Sequence, residues 1–251
     1  MNLGYRLILP VVGFLILLVL SLGLNYILIK QYRHVYRELS RVTLDPLGRQ
    51  QFAAAAPVVP AAGERLVLFY GDSRAAAWPA PETTAQFVFV NRGVNGQTAV
   101  QIAQRYPLDG APLQPDVVVI QAGINDLRVI PALPGERDAI VAATEDNLRQ
   151  VVAQARADEA VVVVTTIFPV QTPPWHERMF WSEEVMGAIT AVNHTIRSLA
   201  AADVLVLDAY TLLADEQGAL RDEYAADYLH INPNGYHELN KLLLSYLQTM
   251  S

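Results

Sequence analysis

The chain of 251 residues contains no cysteine. That absence excludes disulfides, thiolate nucleophiles and cysteine-ligated metal centres, and it leaves the compartment undecided. A positive surplus is also missing: residues 42–251 carry 13 Lys and Arg against 24 Asp and Glu. A body this negative repels a polyanion, which argues against nucleic acid as a partner. Metal-binding spacings are lacking too. His176 and His194 have no carboxylate at matching spacing and read as structural or exposed, and His237 reads as a surface residue. Neither a metal nor an organic cofactor is expected. No internal repeat occurs, and the alanine run at 53–56 is the nearest thing to low complexity.

What the chain has in excess is apolar sequence. Hydrophobic residues make up 52% of it, enough for one domain with a sizeable core plus an appendage, though not for two full domains. Residues 7–29 contain no charge. As a helix they span roughly 34 Å at about 1.5 Å per residue, enough to cross a hydrocarbon core of about 30 Å. A single membrane-spanning helix is therefore expected, with Pro10 and Asn25 tolerated near its ends. The rival reading is a cleaved secretory signal with Arg6 as its charged flank and Ser21-Leu22-Gly23 as its small-x-small site. Against it, the apolar run continues through Tyr26-Ile27-Leu28-Ile29, where a signal peptide turns polar. Lys30, Arg33, Arg37 and Arg41 follow the span while only Arg6 and the amino terminus precede it, a distribution that favours a cytoplasmic C-terminal domain. These four cations could meet anionic headgroups or simply solvate a juxtamembrane helix. Pro46, Pro57, Pro60 and the alanine run then read as a tether. The expected organisation is a flank at 1–6, a transmembrane helix at 7–29, a juxtamembrane helix and Pro/Ala-rich tether at 30–63, and a folded domain at 64–251.

Within that domain, short β-branched or aromatic runs at 66–70, 87–90, 117–121, 160–165 and 204–207 alternate with helical stretches at 98–105, 137–157 and 183–202. Near-continuous apolar strands between crossover helices predict a parallel five-stranded sheet in a three-layer α/β domain. Asn232 as a cap, Pro233 at the first helical position and Tyr236, Leu239, Leu243, Tyr246 and Leu247 at helical spacing predict a closing helix over 233–248.

In such sheets functional groups collect beyond the carboxyl ends of the strands. Ser73 falls three residues after the first strand, Gly96 follows the second, Asn125 follows the third, and Asp227 and His230 follow the fifth. A serine hydroxyl needs an imidazole to take its proton and a carboxylate to orient that imidazole. Asp227 and His230, three apart, can share one turn, so the carboxylate can hold one ring nitrogen while the other faces Ser73. The backbone N–H groups of Ser73 and Gly96 and the side-chain amide of Asn125 can serve as neutral donors to an oxyanion. The Gly-x-Ser-x-Gly elbow of α/β-hydrolases is absent around Ser73.

Four blocks occur in order: Phe69-Tyr70-Gly71-Asp72-Ser73, Gly93-Val94-Asn95-Gly96-Gln97-Thr98, Gly123-Ile124-Asn125-Asp126, and Asp227-Tyr228-Leu229-His230 running on to Tyr236. With these the chain resembles the GDSL/SGNH hydrolase family from about residue 65 to its end. The resemblance implies a flavodoxin-like sandwich, an ester hydrolase with Ser73, Asp227 and His230 as catalytic triad, and an oxyanion hole from Ser73, Gly96 and Asn125. Two departures stand out: Arg74 replaces the leucine of the family's name, and Gln97 stands where Asp is frequent. Arg74 is a candidate for an anionic substrate, or else a solvent-facing or Glu-paired residue. The aromatic stretch with Trp175, Phe180 and Trp181 is a candidate substrate wall, with packing on the sheet edge or a membrane surface as alternatives. Lipid esters and O-acetylated glycans are the expected substrates. A catalytically silent binding module and an acyltransferase with the same residues are the rivals. Anchored hydrolases of this kind are often displayed outside the membrane, against the charge rule, and nothing in the sequence fixes an oligomeric state.

Overall fold

A computed structural model describes residues 3–55, 58–82, 86–175, 177–178 and 181–249, with side chains from Pro10 onward. Two compact units divide the chain, residues 1–48 and 49–251. The first is one helix, α1 (Leu3–Leu44), which continues through Lys30, Arg33, Arg37 and Arg41 without a break. From Pro10 onward its large apolar side chains are exposed, and its most apolar window reaches a mean hydropathy of 2.5. A helix satisfies its backbone polar groups internally, as a hydrocarbon surrounding demands. The polar Asn25 is satisfied the same way, donating its amide to the Ser21 carbonyl one turn back at 2.8 Å. By length and composition α1 can cross a bilayer, a test that a signal sequence also passes.

The second unit is built on five parallel strands, β1 (Arg65–Gly71), β2 (Phe87–Gly93), β3 (Val117–Gln121), β4 (Val161–Thr165) and β5 (Val204–Leu207), in the order β2-β1-β3-β4-β5. The helices are α2 (Ser73–Ala76), α3 (Ala99–Arg105), α4 (Ile124–Leu127), α5 (Arg137–Ala157), α6 (Glu183–Ser198), α7 (Ala209–Leu213) and α8 (Pro233–Gln248). Strand side chains alternate between faces. On one face Leu66, Leu68, Tyr70, Ile120 and Val164 pack with residues of α3, α5 and α6; on the other Val67, Phe69, Val119 and Val163 pack with residues of α7 and α8. With both faces covered, the strands are apolar over most of their length, polar residues falling mainly at their ends, and the three-layer α/β architecture follows. The strand order is that of flavodoxin-like folds, whose crevice opens where the winding reverses, between β1 and β3.

Two elements differ from the expected bounds by more than one residue, for local reasons. β2 continues beyond Val90 because Asn91 is satisfied inside the fold: its amide donates to the carbonyls of Ala75 (2.7 Å) and Trp78 (3.1 Å), and its Oδ1 accepts from Gly93 N. α6 stops at Ser198, short of 202, because Ala201 exchanges backbone hydrogen bonds with Val204 to lead the chain into β5. Ahead of β1, the 3-10 turn Arg49–Phe52 packs on the sheet edge, with the Arg92 guanidinium 4.6 Å from the Phe52 ring centroid and Gln51 donating to the Gly93 carbonyl.

Candidate active site

The crevice is shaped first by glycine. A Cβ on Gly71 would run into the Gln121 carbonyl, so only glycine lets β1 turn this close to β3. The next residue, Asp72, caps α2: its Oδ1 accepts from Arg74 N at 2.8 Å, and Ser73 is thereby the first residue of the helix. At that position the Ser73 N–H has no acceptor within its own helix and can point into the crevice.

The Ser73 hydroxyl lies 3.1 Å from His230 Nε2. On the far side of the ring, His230 Nδ1 stands 2.8 Å from Asp227 Oδ2. The other carboxylate oxygen, Oδ1, accepts from the backbone N–H groups of Leu229 and His230, both at 2.7 Å, so the turn holds its own carboxylate in place. Burial pushes the Asp227 carboxyl up, but the hydrogen bonds from His230 and Leu229 outweigh it, and its pKa lies below the ordinary carboxylate value. Asp227 therefore stays charged where the imidazole needs an anionic partner.

Gly96 is exposed, in a turn where its φ of +76° suits glycine, and Asn125 is half-buried on α4. The Asn125 amide donates to the Gln97 carbonyl at 3.0 Å, tying the loop that carries Gly96 to α4. Gln97, in turn, accepts from the fully buried Arg105 Nε at 2.6 Å through its Oε1. Arg105 also donates to the carbonyls of Gly71 and Arg92, ion-pairs with Asp109 and lies over the Tyr70 ring. A neutral amide in place of a frequent Asp thus still gives the buried guanidinium an acceptor. Asp126, beside Asn125, accepts from Ala99 N with both oxygens at the start of α3; its burial pushes the carboxyl up to about 6 against that hydrogen bond.

Arg74 requires a correction. It is neither in the crevice nor at the surface: its side chain is fully buried, donating to the Leu229 carbonyl from Nε (3.1 Å) and Nη2 (2.7 Å) and to the Phe168 carbonyl from Nη1 (3.2 Å). A guanidinium presents a rigid fork of donors, and here the fork binds backbone, so no substrate anion reaches it. Burial lowers its pKa to about 10. Arg74 is a tie between α2 and the turn that bears His230.

Of the aromatic stretch, Trp175 is 81% exposed, whereas Trp181 packs edge-on against Tyr228, centroid to centroid 6.0 Å, beside Asp227. Trp181 therefore borders the turn that carries Asp227 and His230. Phe180 and His176 lie outside the described residues; His194 and His237 are exposed on α6 and α8. Sequence reasoning missed the supporting residues Asp72, Arg105 and Asp126. A charged residue inside an apolar helical pattern, as Arg105 is in α3, was the signal available for the second of them.

The family model for the GDSL-like lipase/acylhydrolase family matches residues 53–238. No curated protein matches the chain in sequence. Among solved structures, a GDSL-like lipase from Bacteroides thetaiotaomicron is 24% identical with a TM-score of 0.64, over 81% of this chain and 97% of the other. A lipase/acylhydrolase from Enterococcus faecalis is 20% identical (TM-score 0.55, 74% and 96% covered). An acetyl xylan esterase is 21% identical (TM-score 0.56, 72% and 99% covered). At these identities the structures speak for the fold alone.

Proposed function

The chain belongs to the GDSL-like lipase/acylhydrolase family, and we propose that it is a membrane-tethered serine esterase acting through an acyl-enzyme. Ser73 Oγ attacks the ester carbon while its proton passes to His230 Nε2. The carbonyl oxygen becomes an oxyanion, met by the N–H groups of Ser73 and Gly96 and the Asn125 amide. Collapse of the tetrahedral intermediate breaks the bond to the leaving alcohol, which takes the proton from His230 and departs. Water, deprotonated by His230, then attacks the acyl carbon and releases the acid and Ser73. Asp227 holds the Nδ1 proton and stabilises the imidazolium between the two transfers. The observation that carries this reading is the line from Ser73 Oγ to His230 Nε2 (3.1 Å) and from His230 Nδ1 to Asp227 Oδ2 (2.8 Å).

Substrates fitting a tethered esterase are lipid esters and O-acetylated glycans; the similar solved structures include a lipase/acylhydrolase and an acetyl xylan esterase. The test is hydrolysis of p-nitrophenyl esters from acetyl to palmitoyl, beside an acetylated glycan, by the detergent-solubilised chain and its Ser73→Ala variant. Ser73-dependent turnover is expected, short-chain preference pointing to deacetylation and long-chain preference to lipids. A folded protein without turnover on any ester would replace this reading with a binding module.

A further inference from the structure

Away from the crevice, at the β2 edge, one cation lacks an anion. Arg92 is only 9% exposed, its Nε is buried without a hydrogen-bond partner, and its guanidinium stacks on Phe52. Among the described residues no carboxylate reaches ion-pair distance of it. Asp109, which lines the same cleft, is committed to Arg105 and to the Tyr70 hydroxyl. A ring face offsets only part of the cost of burying a charge, and buried charges are as a rule paired. Arg92 lines a cleft of about 370 Å³ together with Arg49, Phe52, Leu108, Asp109 and Leu113.

Those walls narrow the ligand's chemistry. Arg92 calls for an anion, and its planar fork suits a phosphate or carboxylate. Phe52, Leu108 and Leu113 offer hydrocarbon surface, which a free inorganic anion would not use. The turn Arg49–Phe52 also begins five residues after the last residue of α1 in sequence, on a chain whose N-terminal helix can cross a bilayer.

We infer that this cleft binds the phosphate head of an anionic lipid, the charge on Arg92 and the first methylenes against Leu108 and Leu113. The site is separate from Ser73 and does not depend on the esterase reading. Its test is the melting temperature of the full chain in neutral detergent with dihexanoyl phosphatidylglycerol, dihexanoyl phosphatidylcholine or inorganic phosphate. The anionic lipid is expected to raise it by about 5–10 °C at roughly 100 times its Kd. The zwitterionic lipid should not. Arg92→Gln should abolish the rise yet melt no lower than wild type without ligand, since it removes a buried charge that has no partner. Leu108→Glu, a change at a partly exposed wall, should abolish the rise by repulsion. No rise, or an equal rise in Arg92→Gln, overturns the site. An equal rise with inorganic phosphate overturns the lipid assignment and leaves a phosphate site.

Discussion

Ser73 depends on neighbours that make and break no bonds. Asp72 is the nearest: fully buried, with Oδ2 lacking any partner and Oδ1 capping the helix that Ser73 begins. Burial pushes its pKa up to about 7, against the Arg74 charge and the Arg74 N–H. Between its unfolded value near 4 and its folded value near 7, the native state therefore holds a proton that the unfolded chain has released. The stabilisation this gives is full below pH 4 and is lost as pH rises through 7. Asp72→Asn cannot release that proton. The difference in unfolding free energy between wild type and this variant, followed by denaturant titration from pH 4 to 7, should slope by up to about 1.4 kcal/mol per pH unit; a flat difference would mean Asp72 is ionised in the fold. At the proposed oxyanion site, Asn125→Ala should lower kcat about 10²–10³-fold with KM little changed, the mark of a donor used in the transition state. Steady-state kinetics on a p-nitrophenyl ester would decide this, and a pure KM effect would reassign Asn125 to substrate binding.

The elements carry the site by ties between strand-end loops, and it is here that legibility in the sequence ends. Five strands and their order of chemistry were readable because β-branched runs such as Val117 to Ile120 are apolar on both faces, and because Ser73, Gly96, Asn125 and His230 each follow one of them. Arg74 was not readable. Its neighbours Asp72 and Ser73 are polar, so local pattern placed it near solvent, while the carbonyls that enclose it belong to Phe168 and Leu229, far away in the chain. Likewise Asn91 and Arg92 read as the end of a strand, because the partners that let β2 continue lie on α2 and beyond. Arg74→Met should leave the Phe168 and Leu229 carbonyls unsatisfied and cost roughly 2–4 kcal/mol, measured by urea denaturation. Its preference between anionic and neutral esters, where activity survives, should match wild type; a selective loss on anionic esters would return Arg74 to the substrate.

One apolar helix precedes one α/β unit, proposed above as anchor and enzyme. An anchor predicts that the protein stays with membranes through alkaline carbonate washing and leaves them only in detergent. Its intact mass should retain residues 1–23; a mature terminus at Leu24 would make the helix a cleaved signal. The enzyme proposal stands or falls on Ser73 as a nucleophile activated by His230 and Asp227. Its most direct measurement is labelling of the full chain with a fluorophosphonate, followed by mass spectrometry of the modified peptide. One adduct is expected, on Ser73, slowed severely in His230→Ala and prevented by prior incubation with an ester substrate. An adduct on another residue, or none on a folded chain, would contradict it.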